Sequence, residues 1–341
     1  MRIAIDAREL GGRATGVGRY LANLLAEWRQ LPGAAVHELI ELTPAPGEAR
    51  GTAWEQMTLP ALVRRAHADV LFAPAYSGPL RPPVPMVLTI HDVSFAAHPE
   101  WFSWREGARR RLLTRFAARR AARVLTVSDF SKSEIVRHLG VPGDNVDVIY
   151  SGVTRMSAPD EMREPLVLYV GSVFNRRHVP ELIEGFARLA PRHPAARLEI
   201  VGDNRTHPRV DLEAMIARNQ HTAQVRARSY VPDAELASLY ARASALVFLS
   251  DYEGFGFTPL EALAAGIPVV VLDTPVAREI YGPAAIYLKT PDPALIEAAL
   301  ARLLFDETER ERLLAAAATV LPRYSWTECA RRTLQAIVSA R

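Results

Sequence analysis

The chain has 341 residues, 49% of them hydrophobic and 23% charged, with a single cysteine, Cys329. Such a length exceeds what one ordinary core organises and calls for two domains, while the composition excludes a disordered, collagenous or disulfide-built chain. The net charge is only +3, yet the pI is near 9.1 because the basic residues are nearly all arginine, Lys132 and Lys289 being the only lysines. Arginine favours bidentate phosphate contacts, but a bias spread over the whole chain marks no single site.

Met1 to Asp6 runs directly into an apolar strand without a charged leader, and no apolar run approaches the roughly 20 residues of a membrane span, so the expected location is the cytoplasm. A lone thiol suits a reducing compartment and rules out a cysteine-based metal cluster. In the first half, strand candidates fall at residues 2–6, 36–42, 69–72, 86–90, 124–127 and 146–149, with helical stretches between them. That alternation predicts a doubly wound parallel sheet. After the first strand comes GGRATGVGRYLANLL, where Gly16 and Gly18 would let the backbone turn tightly and approach a ligand before a helix opens near Arg19. The full dinucleotide fingerprint is absent, because no third glycine and acidic partner follow at its spacing.

VLTIHDVSF sets His91 and Asp92 just beyond a strand that should be central. A histidine there is either a structural residue or a group that touches a ligand; with no second ligating residue at the right spacing, a metal role is not expected. WFSWREGARRRLLTRFAARRAARV, residues 101–124, is an arginine-rich helix with Trp104, Ala108, Leu112 and Phe116 on one face. It reads either as a sheet-covering helix with a solvated basic face or as an attachment to anionic lipid headgroups. No nucleic-acid motif accompanies the charge. SKSE, residues 131–134, reads as a capping box, and residues 151–165, which lack periodicity, as the interdomain linker.

A second alternation follows, with strands expected at 166–170, 197–201, 224–229, 245–249, 268–272 and 285–288. The loop after its first strand, GSVFNRRHVPELI, carries Arg176 and Arg177 ahead of a helix that Pro180 can begin, a placement suited to a diphosphate. Tyr230 and Val231 end a strand; the tyrosine is either an interior aromatic or a platform for a nucleotide base. ALVFLSDYEGFGFTPLEALAAGIPVVVL, residues 245–272, has the order strand, glycine loop, helix, strand. Thr258 to Glu261 reads there as a capping box, which puts Glu253 in the loop and Glu261 in the helix's first turn. Loops at the carboxyl ends of parallel strands, followed by helix N-termini, are where open α/β sheets bind ligands. The last candidate helix, residues 325–338, is capped by Ser325.

The string EGFGFTPLEALAAGIPVVV resembles the E-x7-E motif of the retaining glycosyltransferases of family 4, in the spacing from Glu253 to Glu261, the Phe-Gly-Phe-Thr-Pro filling and the Ala-x-Gly-x-Pro-Val sequel. The resemblance implies an α/β chain of the GT-B fold: two doubly wound, Rossmann-like domains facing a cleft. It implies an acceptor domain at 1–155, with a terminal helix at 323–341 packing back on it, and a donor domain at 160–322. It implies that Glu253 contacts the hydroxyls of the donor sugar, that Phe255, Gly256, Phe257 and Thr258 offer amides near the sugar and diphosphate, and that Glu261 holds the ribose. His91 would lie close to the sugar, Gly16 and Gly18 near the diphosphate or acceptor, Arg176 and Arg177 at the diphosphate, and Tyr230 and Val231 at the base. Ser172 stands where relatives often place a basic residue.

The reaction so implied is metal-independent transfer of a hexose from a nucleoside diphosphate to an acceptor hydroxyl. The IDAREL opening, the TGVGRY loop and the His-Asp pair look most like enzymes of bacterial surface-polysaccharide assembly, many of them mannosyltransferases. That makes GDP-mannose the first donor to consider, a lipid-linked saccharide the expected acceptor, and the anionic inner face of the membrane an expected partner, with no nucleic acid. Four readings of other classes stand beside it: a glycosidase using Glu253 and Glu261 as its carboxylate pair, a periplasmic-type binding protein with two α/β lobes, which should carry an export signal that is not expected here, a pyridoxal-dependent phosphorylase, for which neither lysine is well placed, and an inactive relative that binds sugar nucleotide or a partner without turnover.

Overall fold

The structure is a computed structural model and describes residues 1–11, 16–45, 47, 51–154, 162–218 and 222–340. The chain divides into two compact units, Met1–Gly152 together with Tyr324–Arg341, and Val153–Arg323.

In the first unit, strands β1 (Arg2–Asp6), β2 (Glu38–Leu42), β3 (Val70–Ala73), β4 (Met86–Thr89), β5 (Arg123–Thr126) and β6 (Val146–Val148) form a parallel sheet in the order β2-β1-β3-β4-β5-β6. Parallel neighbours need crossovers, supplied by α1 (Gly16–Trp28), α2 (Leu59–Arg65), α3 (Ser94–Ala97), α4 (Trp104–Arg120) and α5 (Asp129–Leu139). Because helices cover both faces, β3 and β4 are buried at every position and read as unbroken apolar runs. One face packs Ile3, Ile5, Tyr20, Leu24 and Trp28 against Cys329, Leu334 and Ile337 of the last helix, Trp326–Ser339. Trp28 Nε1 donates to the Ala330 carbonyl at 2.9 Å, fixing that helix beside α1. Ser325 caps it, accepting from the Glu328 amide at 3.3 Å as expected.

Three local expectations need correction in this unit. Gly16 and Gly18 do not form a turn before the helix: α1 already begins at Gly16, and a Cβ there would meet nothing, so packing does not demand the first glycine. Residues 12–15 of the same motif lie outside the described residues. The cap of α5 is Ser128, whose hydroxyl accepts from the Ser131 amide at 3.0 Å; the helix starts at Asp129, and Ser131 is already inside it. In α4 the apolar i+4 stripe does not face the sheet: Gly107, Thr114, Ala117 and Ala118 do, and small residues let the helix lie close. Trp104, Leu112 and Phe116 are instead 77%, 55% and 46% exposed.

In the second unit, β7 (Leu166–Val170), β8 (Arg197–Val201), β9 (Val225–Arg228), β10 (Ala245–Phe248), β11 (Val269–Leu272) and β12 (Ala285–Leu288) are parallel in the order β12-β11-β10-β7-β8-β9. The helices are α6 (Val179–Leu189), α7 (Leu212–Arg218), α8 (Asp233–Arg242), α9 (Phe257–Ala264), α10 (Pro275–Tyr281), α11 (Pro293–Phe305) and α12 (Glu307–Val320). All twelve expected strands are present, each end within two residues of its expected place. The expected linker falls partly outside the described residues, at 155–161. Its last residues belong to the second unit: Arg163 donates to the Tyr240 and Ala243 carbonyls at 2.8 and 2.6 Å, and the Glu164 amide to Arg242 at 2.8 Å.

Strand order reverses between β7 and β10, with β8 and β9 leading one way and β11 and β12 the other. The loops leaving β7 and β10 therefore part company at the carboxyl edge, and the crevice they leave is where open sheets of this kind accept ligands.

Candidate functional site

The loop after β7 makes a single 3-10 turn, Asn175–Arg177, before α6 begins. Arg177 folds back under it, its side chain only 13% exposed. Its Nε and Nη2 donate to one oxygen, Glu253 Oε1, at 3.0 and 2.7 Å, and its Nη1 to the Ser172 carbonyl at 3.0 Å. The rings of Phe248 and Phe174 flank the guanidinium at 4.8 and 5.5 Å. Tyr169 donates to the same Ser172 carbonyl at 3.0 Å, and burial pushes its phenol up to about 12. Ser250 Oγ adds a third bond to Glu253 Oε1 at 2.9 Å. Thus Arg177 and Glu253, 76 residues apart, form one neutral unit at the switch point. Arg177 is thereby committed to orienting Glu253, and none of these three bonds lands on Oε2. Arg176 lies over Phe174 at 4.4 Å, and its carbonyl accepts from the Asp251 amide at 3.0 Å.

The loop after β10 reaches α9 through Gly256, at φ 85 and ψ 66. This left-handed conformation suits glycine, and space demands glycine too, since a Cβ would lie 2.0 Å from the Tyr281 hydroxyl. Tyr281 donates to the Gly256 carbonyl at 2.9 Å, and Phe255 packs edge-on against Phe257 at 5.1 Å. The expected capping box is not made. Because Gly256 turns the chain early, α9 starts at Phe257, Thr258 and Pro259 lie inside its first turn, and Glu261 falls in the second. The first helical amides, those of Phe257 and Thr258, have no acceptor within α9 itself, and the positive end of the helix dipole suits an anion.

Tyr230 and Val231 separate: Val231 is buried at 4%, while Tyr230 is 64% exposed between β9 and α8, so the interior reading of the tyrosine fails. Glu261 is half-buried on α9.

In the first unit, His91 follows β4 and is buried. Its Nε2 lies 2.9 Å from the Pro74 carbonyl, which can only accept, so Nε2 carries the proton and Nδ1 is the bare nitrogen. Tyr20 meets the ring edge-on at 4.9 Å. Burial lowers the pKa of His91 against the opposing pull of the Pro74 carbonyl and Asp92, so the ring is neutral near pH 7. Asp92 is held by Tyr76 Oη at 2.9 Å and the Ser94 amide at 2.8 Å. Reasoning from sequence missed a buried trio at the carboxyl end of β1: Arg8 pairs with Asp6 at 3.1 Å and with Glu55, and Ser77 donates to Glu55 at 2.7 Å. It also passed over His178 and Asp251, which bridge the loops after β7 and β10 at 2.8 Å. His178 stands in the loop after β7, and its neighbour in sequence, Arg177, was the signal for it.

Comparison with known proteins bears on the family and the fold. The model of the glycosyl transferases group 1 matches residues 155–320, and that of glycosyltransferase family 4 matches residues 14–155. O-antigen chain mannosyltransferase B of Escherichia coli is 28% identical over 264 residues, covering 73% of this chain and 69% of that enzyme. O-antigen chain mannosyltransferase RfbU of Salmonella typhimurium is 29% identical over 206 residues, covering 60% and 57%. The crystal structure of Anabaena Alr3699/HepE in complex with UDP and glucose superposes with a TM-score of 0.77 at 18% identity, over 99% of this chain and all of that one.

Proposed function

This chain belongs to the glycosyltransferases of group 1 and family 4, with the GT-B type of fold, and on that premise we propose that it moves a hexose, mannose in the first instance, from a nucleoside diphosphate to a lipid-linked saccharide with retention at the anomeric carbon. The observation that carries the reading is the Arg177–Glu253 unit at the switch point of the second sheet, beside the amino end of α9. Glu253 Oε2 would accept from the donor sugar's hydroxyls, the Phe257 and Thr258 amides would meet the diphosphate, Arg176 would add charge to it, and Glu261 would take the ribose. Tyr230 would stack on the base.

In the transfer the bond from the anomeric carbon to the diphosphate oxygen breaks, the acceptor oxygen bonds to the same face, and the acceptor's proton passes to the departing phosphate. No covalent intermediate is invoked and no metal ion is needed, because fixed amides and guanidinium groups offset the charge that develops on the leaving group. In the first unit, neutral His91 has at Nδ1 an acceptor suited to a hydroxyl. Glu253 and Glu261 would not form a glycosidase pair, since Glu261 lies in the second turn of α9 rather than in the loop. Turnover tests this: with a chelator present and a bacterial membrane extract as acceptor source, GDP-mannose should yield GDP and an α-linked product. Failure of GDP-mannose, UDP-glucose and UDP-GlcNAc alike to turn over would refute it.

The lipid-linked acceptor draws support from α4. Its exposed side carries Trp104, Leu112 and Phe116 interleaved with exposed Arg105, Arg109, Arg115, Arg119 and Arg120. Apolar anchors set among cations suit an anionic bilayer, where each arginine near the surface is worth about 1 kcal/mol. The protein should therefore float with phosphatidylglycerol-rich vesicles and not with phosphatidylcholine ones, and Trp104→Ser, Leu112→Ser and Phe116→Ser combined should leave it at the bottom of the gradient. Flotation unchanged by the three substitutions would remove α4 from the account. Among the described residues no helix is long and apolar enough to cross a membrane.

A further inference from the structure

His178 is the one residue in the 172–178 loop with left-handed backbone, φ 49 and ψ 39. A side chain in that conformation is strained, so something must hold it there. Its imidazole does so by bridging two elements. Nε2 meets Asp251 Oδ2 at 2.8 Å in the loop after β10, and Nδ1 meets Glu181 Oε1 at 3.4 Å on α6. Carboxylates only accept, so serving both needs a proton on each ring nitrogen, that is, the imidazolium. The Asp251 amide in turn donates to the Arg176 carbonyl. This bridge runs alongside the Arg177–Glu253 pair, one residue from Arg177 and two from Glu253, and ties together the same two loops.

We infer that protonated His178 is a positioning residue for the sugar-nucleotide donor, holding the Arg176–Arg177 loop against the Glu253 loop so that donor affinity follows the protonation of this imidazole. The inference rests on the reading of these loops as the donor site. Geometry carries it, and the titration agrees. Burial alone would lower the pKa of His178, but the hydrogen bonds and charges of Asp251 and Glu181, the two acids that face it, outweigh burial and push it up to about 9 from the ordinary 6.5. The folded value is thus the raised one. The bridge is complete below the unfolded value, 6.5, and is lost as pH rises through about 9.

Protonation and donor binding then share one coupling free energy, which must act in both directions. Calorimetry with UDP and with GDP at pH 7 and pH 10 should show wild-type affinity falling about tenfold, within the usual range for coupled sites. His178→Gly keeps the left-handed backbone and removes the imidazole. It should bind about tenfold more weakly at pH 7, and it reports the bases' own titration in the same range, so the difference between the two proteins is the reading. In the wild type, NMR of labelled histidine should show the His178 pKa rising by about one unit on nucleotide binding, the counterpart of a tenfold coupling. A merely structural histidine would not move in that way.

If His178→Gly bound as the wild type does, or if nucleotide left the His178 pKa in place, this inference would fail while the donor site stood. A wild type that bound neither nucleotide would overturn the donor-site reading and the coupling with it.

Discussion

Glu253→Ala should lower turnover by about two to three orders of magnitude and destabilise the second unit by about 3 kcal/mol. The two losses have different causes. Turnover falls because the carboxylate that would orient the sugar is gone. Stability falls because Arg177, 13% exposed and enclosed by Phe174 and Phe248, keeps its charge and loses the partner that neutralised it. Breaking one side of a buried pair is more costly than removing both. Adding Arg177→Met to Glu253→Ala should therefore restore much of the lost stability, seen in a thermal melt, and none of the turnover. If the single variant melted with the wild type, the pair would not be the coupled unit that the geometry describes. If it kept full turnover, Glu253 would have no part in the chemistry.

The second large effect is expected at Gly256. Replacement by alanine costs about 1–2 kcal/mol for a side chain in the left-handed region. It also drives a Cβ to within 2.0 Å of the Tyr281 hydroxyl, which must then give up its bond to the Gly256 carbonyl. Together about 3 kcal/mol should be lost, lowering the melting temperature by about 6–12 °C in a unit of this size. Tyr281→Phe in the same chain removes the clashing atom, leaving the ring carbon 3.3 Å from the new methyl group. That second change should recover the steric part of the loss and leave the backbone part. A Gly256→Ala protein with wild-type melting would mean that the loop enters α9 by another path.

The fold was legible because it depends on period and punctuation. Short apolar runs such as Val269–Leu272 are buried at every position, and turn residues bound them, so the parallel strands could be placed from the sequence alone. Helix starts were less legible. Thr258 to Glu261 and Ser131 to Glu134 both have capping-box spelling, but Gly256 and Ser128 set the helices going earlier. Spelling cannot show which of two adjacent caps the backbone will use.

The sense of an amphipathic face was also hidden. In α4 the periodic stripe of Trp104, Leu112 and Phe116 suggested a core face, but the crowded sheet accepts Gly107, Ala117 and Ala118. Within the candidate site, Glu253 and Arg177 each stood out by residue type and loop position. That they bond to each other, and that His178 and Asp251 run beside them, follows only from strand order, which brings the loops after β7 and β10 to one edge.

The central claim, that the loops after β7 and β10 hold a nucleoside diphosphate sugar, is tested most directly by ligand-induced stabilisation, since a ligand that binds only the folded state raises its melting temperature. The panel is GDP, UDP, GDP-mannose, UDP-glucose and UDP-GlcNAc, applied at millimolar concentration to the wild type and to Glu261→Ala. The account predicts stabilisation by nucleotides of one base, lost in the variant. No shift of the wild type with any of the five would contradict it and bring forward the reading of an inactive relative.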